Sequence, residues 1–98
     1  MVEREAYRLT AVLKSLANEH RLLILCELID GPKTVTALCA RVPGISQSGL
    51  SQHLTLLRAH GVVACEKSGQ SVTYAIADER VRAVIAVLKH EYCQPPAP

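Results

Sequence analysis

Apolar residues recur three and four apart over residues 5–16, at Ala6, Leu9, Val12, Leu13 and Leu16, which predicts one amphipathic helix. Asn18 follows as an N-cap. Residues 22–29 are apolar nearly all round, the pattern of a buried helix, and Gly31-Pro32 stops it. Thr34 caps a short helix carrying Leu38 and Val42, which Pro43-Gly44 ends. Ser46 caps the next helix, which runs to Gly61, a good C-terminal stop. The pattern then changes. Residues 62–67 and 71–76 are rich in β-prone side chains around Ser68-Gly69-Gln70, which predicts a β-hairpin. Asp78 caps a last helix with Val81, Val84, Ile85, Leu88 and Tyr92 on its apolar face. The run 83–88 would also suit a buried strand, but the 3.6 spacing and the cap favour helix. Residues 93–98, ending in Pro95-Pro96-Ala97-Pro98, read as a flexible tail.

The order is four helices, a hairpin and a helix, α-α-α-α-β-β-α, without repeats or linkers. The expected fold is mainly α with a β-hairpin, a single winged helix-turn-helix domain over residues 1–98. Size makes a dimer the natural assembly. A domain of 98 residues buries a thin core, and this one has no Trp or Phe and three Tyr, so the core is almost wholly aliphatic. A hydrophobic fraction of 49% is ample for folding, and a subunit interface would extend that core.

Composition excludes several classes. No apolar run approaches the roughly 18 residues of a membrane span. The charged start Met1-Val2-Glu3-Arg4-Glu5 is unlike a signal peptide, so a cytoplasmic protein without membrane contact is expected. There, four cysteines are buried small hydrophobes, metal ligands or redox groups rather than a disulfide framework. No Gly-rich phosphate loop, nucleophile elbow or HExxH occurs, so neither an enzyme nor a bound cofactor is expected.

Candidate chemistry lies on the helix that Ser46 opens. Helices over 34–42 and 47–60, separated by Pro43-Gly44-Ile45-Ser46, match a helix-turn-helix whose second helix enters the DNA major groove. At 100° per residue, Leu50, Leu54 and Leu57 cluster on one face and Ser48, Ser51, Gln52 and Thr55 on the other. Short hydroxyls and amides both donate and accept, as base edges require. Gln47 lies in the first turn, and Arg58 could reach a phosphate. Any amphipathic helix has a polar face, but a merely solvated one is usually rich in Glu and Lys, and 47–60 has no acid. His53 sits beside the leucines, where packing between helices and base contact are both open. At the hairpin tip, Lys67, Ser68 and Gln70 suit a wing on the adjacent backbone or minor groove.

The overall charge of +2 is too small to imply DNA. Its location matters more, because residues 31–76 carry +3 and the rest of the chain −1. Salt-dependent duplex binding should follow.

These residues resemble the ArsR/SmtB family of winged-helix repressors. The resemblance rests on Leu16-Ala17-Asn18-Glu19-His20-Arg21-Leu22-Leu23-Ile24-Leu25, on Ser46-Gln47-Ser48-Gly49-Leu50-Ser51-Gln52-His53-Leu54 and on Leu57-Arg58-Ala59-His60-Gly61-Val62-Val63, and covers roughly residues 7–93. It implies a homodimer, built by the first and last helices, that holds a double-stranded DNA operator and releases it on sensing an inducer. The arsenic-type Cys-x-Cys-x-x-Cys is reduced here to Cys39 alone, and the zinc-type Asp-x-His is absent because Glu79 and Arg80 follow Asp78. Neither metal set is complete, so no metal site is expected.

Ile24-Leu25-Cys26 and Glu91-Tyr92-Cys93 resemble the reactive-sulfur and redox-sensing branch of the family. In that branch two cysteines at these places join through a disulfide or polysulfide. The resemblance implies Cys26 and Cys93 as the switch pair, with a persulfide, polysulfide or oxidant as inducer. It gives Cys39 a counterpart without a role, and Cys65 none. The alternatives are a metal-responsive repressor with an unusual ligand set, a regulator that acts by displacing another DNA-binding protein, and a winged-helix module that binds no DNA.

Overall fold

The computed structural model describes residues 1–93; the proline-rich segment of the expected tail lies outside them. Eight elements follow in order: α1 (Glu3–Leu16), α2 (Glu19–Ile29), β1 (Lys33–Thr34), α3 (Val35–Arg41), α4 (Gln47–Ala59), β2 (Val63–Ser68), β3 (Ser71–Ile76) and α5 (Glu79–Tyr92). The architecture is the expected winged helix-turn-helix with one strand added.

Four of the helices start where a side-chain oxygen accepts an otherwise orphaned N–H. Asn18 accepts from Arg21 at 3.1 Å, Thr34 from Ala37 at 3.1 Å, Ser46 from Gly49 at 3.0 Å and Asp78 from Arg80 at 2.9 Å. α1 begins earlier than its apolar stripe, because the Val2 N–H donates to the Glu5 carboxylate at 2.9 Å and closes a first turn. α4 ends on Gly61 at φ +73°. The Gly61 N–H donates to the Arg58 carbonyl and the Val62 N–H to the Leu57 carbonyl, both at 3.0 Å, which is a Schellman motif. Val62 and Leu57 are both buried, the apolar contact that accompanies it.

β2 and β3 form the wing, paired from Val63↔Ile76 to Ser68↔Ser71. The loop is therefore only Gly69-Gln70, with φ +61° at Gly69, so Ser68 belongs to the strand rather than the turn. The added strand, β1, pairs Lys33 with Tyr74 and Thr34 with Thr73, giving an antiparallel sheet ordered β1-β3-β2. It ties the start of α3 to the root of the wing.

Ile24, Leu25 and Leu28 of α2 pack with Leu38, Leu50, Leu54, Leu57, Val62 and Ile85 in the core. α2 is not buried all round as its composition suggests, for Leu22 and Leu23 are exposed. The stripes of α1 and α5 are mostly open too. Leu16, Val81 and Ile85 are buried, whereas Leu9, Leu13, Val84, Val87 and Leu88 are each at least 41% exposed. Two helices thus present apolar faces that one protomer does not cover. Among the described residues no helix is long and apolar enough to cross a membrane.

Candidate nucleic-acid interface

α4 buries Leu50, Leu54 and Leu57 and exposes Gln47, Ser48, Ser51, Gln52, Thr55 and Arg58. The free face therefore carries hydroxyls, amides and a guanidinium and no acid. Ser46 is committed to capping, although its hydroxyl also lies 3.3 Å from that of Ser48. A groove of about 620 Å³ runs between α4 and the wing. Gln47, Ser51 and Arg58 line it from the helix, and Lys67 and Gln70 from the wing. Ser48, Gln52 and Thr55 continue the exposed polar surface outside this groove.

Among the groove residues that escape a reading by helical face are Cys65 and Tyr74. They are opposite one another on β2 and β3. Burial pushes the Tyr74 phenol above its ordinary pKa; the Cys65 thiol beside it adds to this, and the Arg58 guanidinium, also bonding to the hydroxyl, opposes it. The alternation of β3, with Tyr74 and Ile76 both inward, was the available signal.

His53 lies at the contact between α4 and α2. It is half-buried, and its Nδ1 lies 3.3 Å from a guanidinium nitrogen of Arg21 on α2. The His20 ring stands 5.7 Å from it, centroid to centroid. Desolvation, then Arg21 and His20, hold the His53 imidazole below the usual histidine range.

Cys26 and Cys93 lie outside this groove. Cys26 is half-buried in α2, and Cys93 is the exposed C-terminal cap of α5. The Lys89 ammonium donates to the Cys26 carbonyl at 3.3 Å and meets the Asp30 carboxylate at 3.6 Å. The Cys93 N–H bonds the Lys89 carbonyl at 2.9 Å, so Cys93 closes the turn of α5 that the Lys89 side chain ties to α2. Burial raises the pKa of the Cys26 thiol and neighbouring Cys93 raises it further, while Lys89 acts in the opposite direction. All four cysteines are free thiols. Among the described residues no three His, Cys, Asp or Glu side chains converge as a metal site would need.

Residues 16–66 match a family model described as a helix-turn-helix domain. The chain is 42% identical over 93 residues to the transcriptional activator HlyU of Vibrio cholerae, covering 95% of this chain and 85% of the relative. The solved HlyU structure superposes with a TM-score of 0.90 over 95% of this chain and 100% of that one. The transcriptional repressor BigR of Xylella fastidiosa superposes at 0.85 with 28% identity, over 95% and 94% of the two chains. A homodimeric winged helix-turn-helix DNA-binding domain of Mycobacterium bovis, described as a possible ArsR-family regulator, superposes at 0.78 with 27% identity, over 100% and 97%.

Proposed function

The chain belongs to the ArsR/SmtB family of winged helix-turn-helix transcriptional regulators, and on that premise we propose that it is a homodimer whose hold on an operator is switched by Cys26 and Cys93. It is a regulator and not an enzyme. The observation that carries the DNA reading is the convergence of Gln47, Ser51, Arg58, Lys67 and Gln70 on one groove between helix and wing. Gln and Ser read base edges, while Arg58 and Lys67 neutralise phosphates. The open apolar faces of α1 and α5 supply the dimer contact, and two-fold symmetry sets α4 and its mate at successive major grooves.

The switch runs through one two-electron exchange. The exposed Cys93 thiolate attacks the outer sulfur of a low-molecular-weight persulfide, RSSH, and the thiol RSH leaves, so Cys93 carries the sulfane sulfur. The Cys26 thiolate then attacks the inner sulfur of that persulfide and expels hydrogen sulfide. Two thiols and one RSSH become a Cys26–Cys93 disulfide, RSH and hydrogen sulfide. A second RSSH can oxidise the Cys93 persulfide and the Cys26 thiol together, retaining the extra sulfur as a trisulfide and releasing RSH and hydrogen sulfide. Peroxide reaches the disulfide through a sulfenic acid with loss of two waters. Either link locks the end of α5, in the dimer contact, to α2, which supports α4. A coupling of roughly 1–3 kcal/mol between two dimer geometries is enough to release DNA.

The sign of regulation depends on what else occupies the operator. A dimer that excludes polymerase represses, and one that excludes another repressor activates. HlyU is named an activator and BigR a repressor.

Gel shifts with a duplex selected from a random library by the reduced protein test both parts. Reduced protein should bind with a steep salt dependence, and Cys26→Ser and Cys93→Ser should bind equally but resist release by persulfide. A reduced protein that selects no duplex sinks the DNA reading, and a serine variant released like the wild type sinks the switch.

A further inference from the structure

The Arg21 side chain joins three helices. Its Nε donates to the Ser15 carbonyl at 2.6 Å and an Nη to the Lys14 carbonyl at 3.5 Å, both in the last turn of α1. Its other Nη meets the His53 Nδ1 on α4 at 3.3 Å. A guanidinium has donors and no acceptor. The contact is therefore a hydrogen bond only while Nδ1 carries no proton, which leaves Nε2 as the protonated nitrogen of a neutral ring. An imidazolium there would offer no acceptor and would face the Arg21 cation directly.

The groups acting on this ring are Arg21 and His20, both from α2. Neither is an acid that could favour the charged form. Desolvation is the largest influence and acts in the same direction, lowering the pKa of the ring.

We infer that His53 is a positioning residue for operator binding, which holds α4 against the α1–α2 junction through Arg21 and lets it go when the imidazole is protonated. This rests on the reading above that α4 enters the operator. Ser51 and Thr55 flank His53 by two residues on either side, and α1 carries part of the dimer face. Losing the link frees the base-reading face to shift relative to the dimer axis.

The test is the pH profile of binding to the library-selected duplex, followed by fluorescence anisotropy with reduced protein. The variant is His53→Asn, whose amide oxygen can replace Nδ1 as acceptor but does not titrate; His53→Gln is the second. Circular dichroism establishes that each is folded at both pH values. Between about pH 7.5 and about pH 5.5, the range in which histidine titrates, wild-type affinity should fall about tenfold more than that of either variant. That factor requires a pKa difference between free and DNA-bound protein of at least about half a unit at each of the dimer's two histidines. At the upper pH the three proteins should bind alike.

A histidine that touched DNA directly would behave in the opposite way, because its positive charge would tighten binding on acidification and the variants would lose that gain. This result, a variant that tracks the wild type, or a wild type insensitive to pH overturns the inference while leaving the DNA reading intact. A reduced protein that selects no duplex overturns that reading and this inference with it.

Discussion

The Lys89 ammonium donates to the main-chain carbonyl of Cys26 across 3.3 Å, a bond between residues 63 positions apart. It fastens the end of the last helix to the middle of the second, and Cys93 follows one turn later. The same cation opposes the burial that raises the Cys26 pKa. Lys89 thus both holds the two thiol-bearing segments together and favours the Cys26 thiolate.

Lys89→Met should therefore slow closure of the Cys26–Cys93 link by several-fold at neutral pH, because thiol exchange proceeds through the thiolate. Duplex binding by the reduced variant should match that of the wild type. Mass spectrometry of samples quenched at intervals after persulfide addition follows the link directly. Closure at the wild-type rate would remove Lys89 from the switch.

Arg58 and Tyr74 give a prediction about salt. Arg58→Ala should lower the slope of log K against log[salt] by about 1.8, the contribution of one phosphate contact from each subunit of the dimer. Tyr74→Phe keeps the ring in the core and removes the hydroxyl beside the guanidinium. It should lower the slope by part of the same amount, and the double variant should lose no more than Arg58→Ala. Additive losses would mean that Tyr74 acts on DNA independently of Arg58.

The apolar faces of α1 and α5 bear on assembly. Val87 is 60% exposed and Leu13 49% in a protomer whose core is otherwise closed. An aspartate at either place would put an unpaired charge into a subunit contact, a large penalty. Val87→Asp and Leu13→Asp should run as folded monomers in light scattering and bind the duplex at least tenfold more weakly. A dimer that survives both substitutions would place the interface elsewhere.

Local chemistry was legible in the residues, and pairing over distance was not. Asn18, Thr34, Ser46 and Asp78 could be assigned as caps because each bonds an N–H two or three residues ahead. The buried and free faces of α4 followed from helical period alone. β1 was invisible, because two residues show no alternation and owe their strand to β3, some forty positions later. The role of Arg21 depends on how α2 crosses α4, which no spacing within either helix encodes. The exposure of Leu22 and Leu23 was missed because an apolar residue on the open side of a helix and one in a core look the same in sequence.

That division within α4 yields a last prediction. Leu54 is 1% exposed and Gln52 is open, two residues apart on one helix. Leu54→Ala should cost about 2–5 kcal/mol of stability through lost burial and a residual cavity. Against a total of about 5–15 kcal/mol for a small domain, that lowers the melting temperature sharply. Ser51→Ala with Gln52→Ala removes no buried atom, so the melting temperature should stay near the wild-type value. What it should lose is sequence discrimination, about 1–3 kcal/mol for each bidentate contact, while binding to random duplex persists on the phosphate contacts. Thermal unfolding beside competition between selected and random duplex separates the two effects. Unchanged discrimination in the double alanine variant would show that this face does not read the bases.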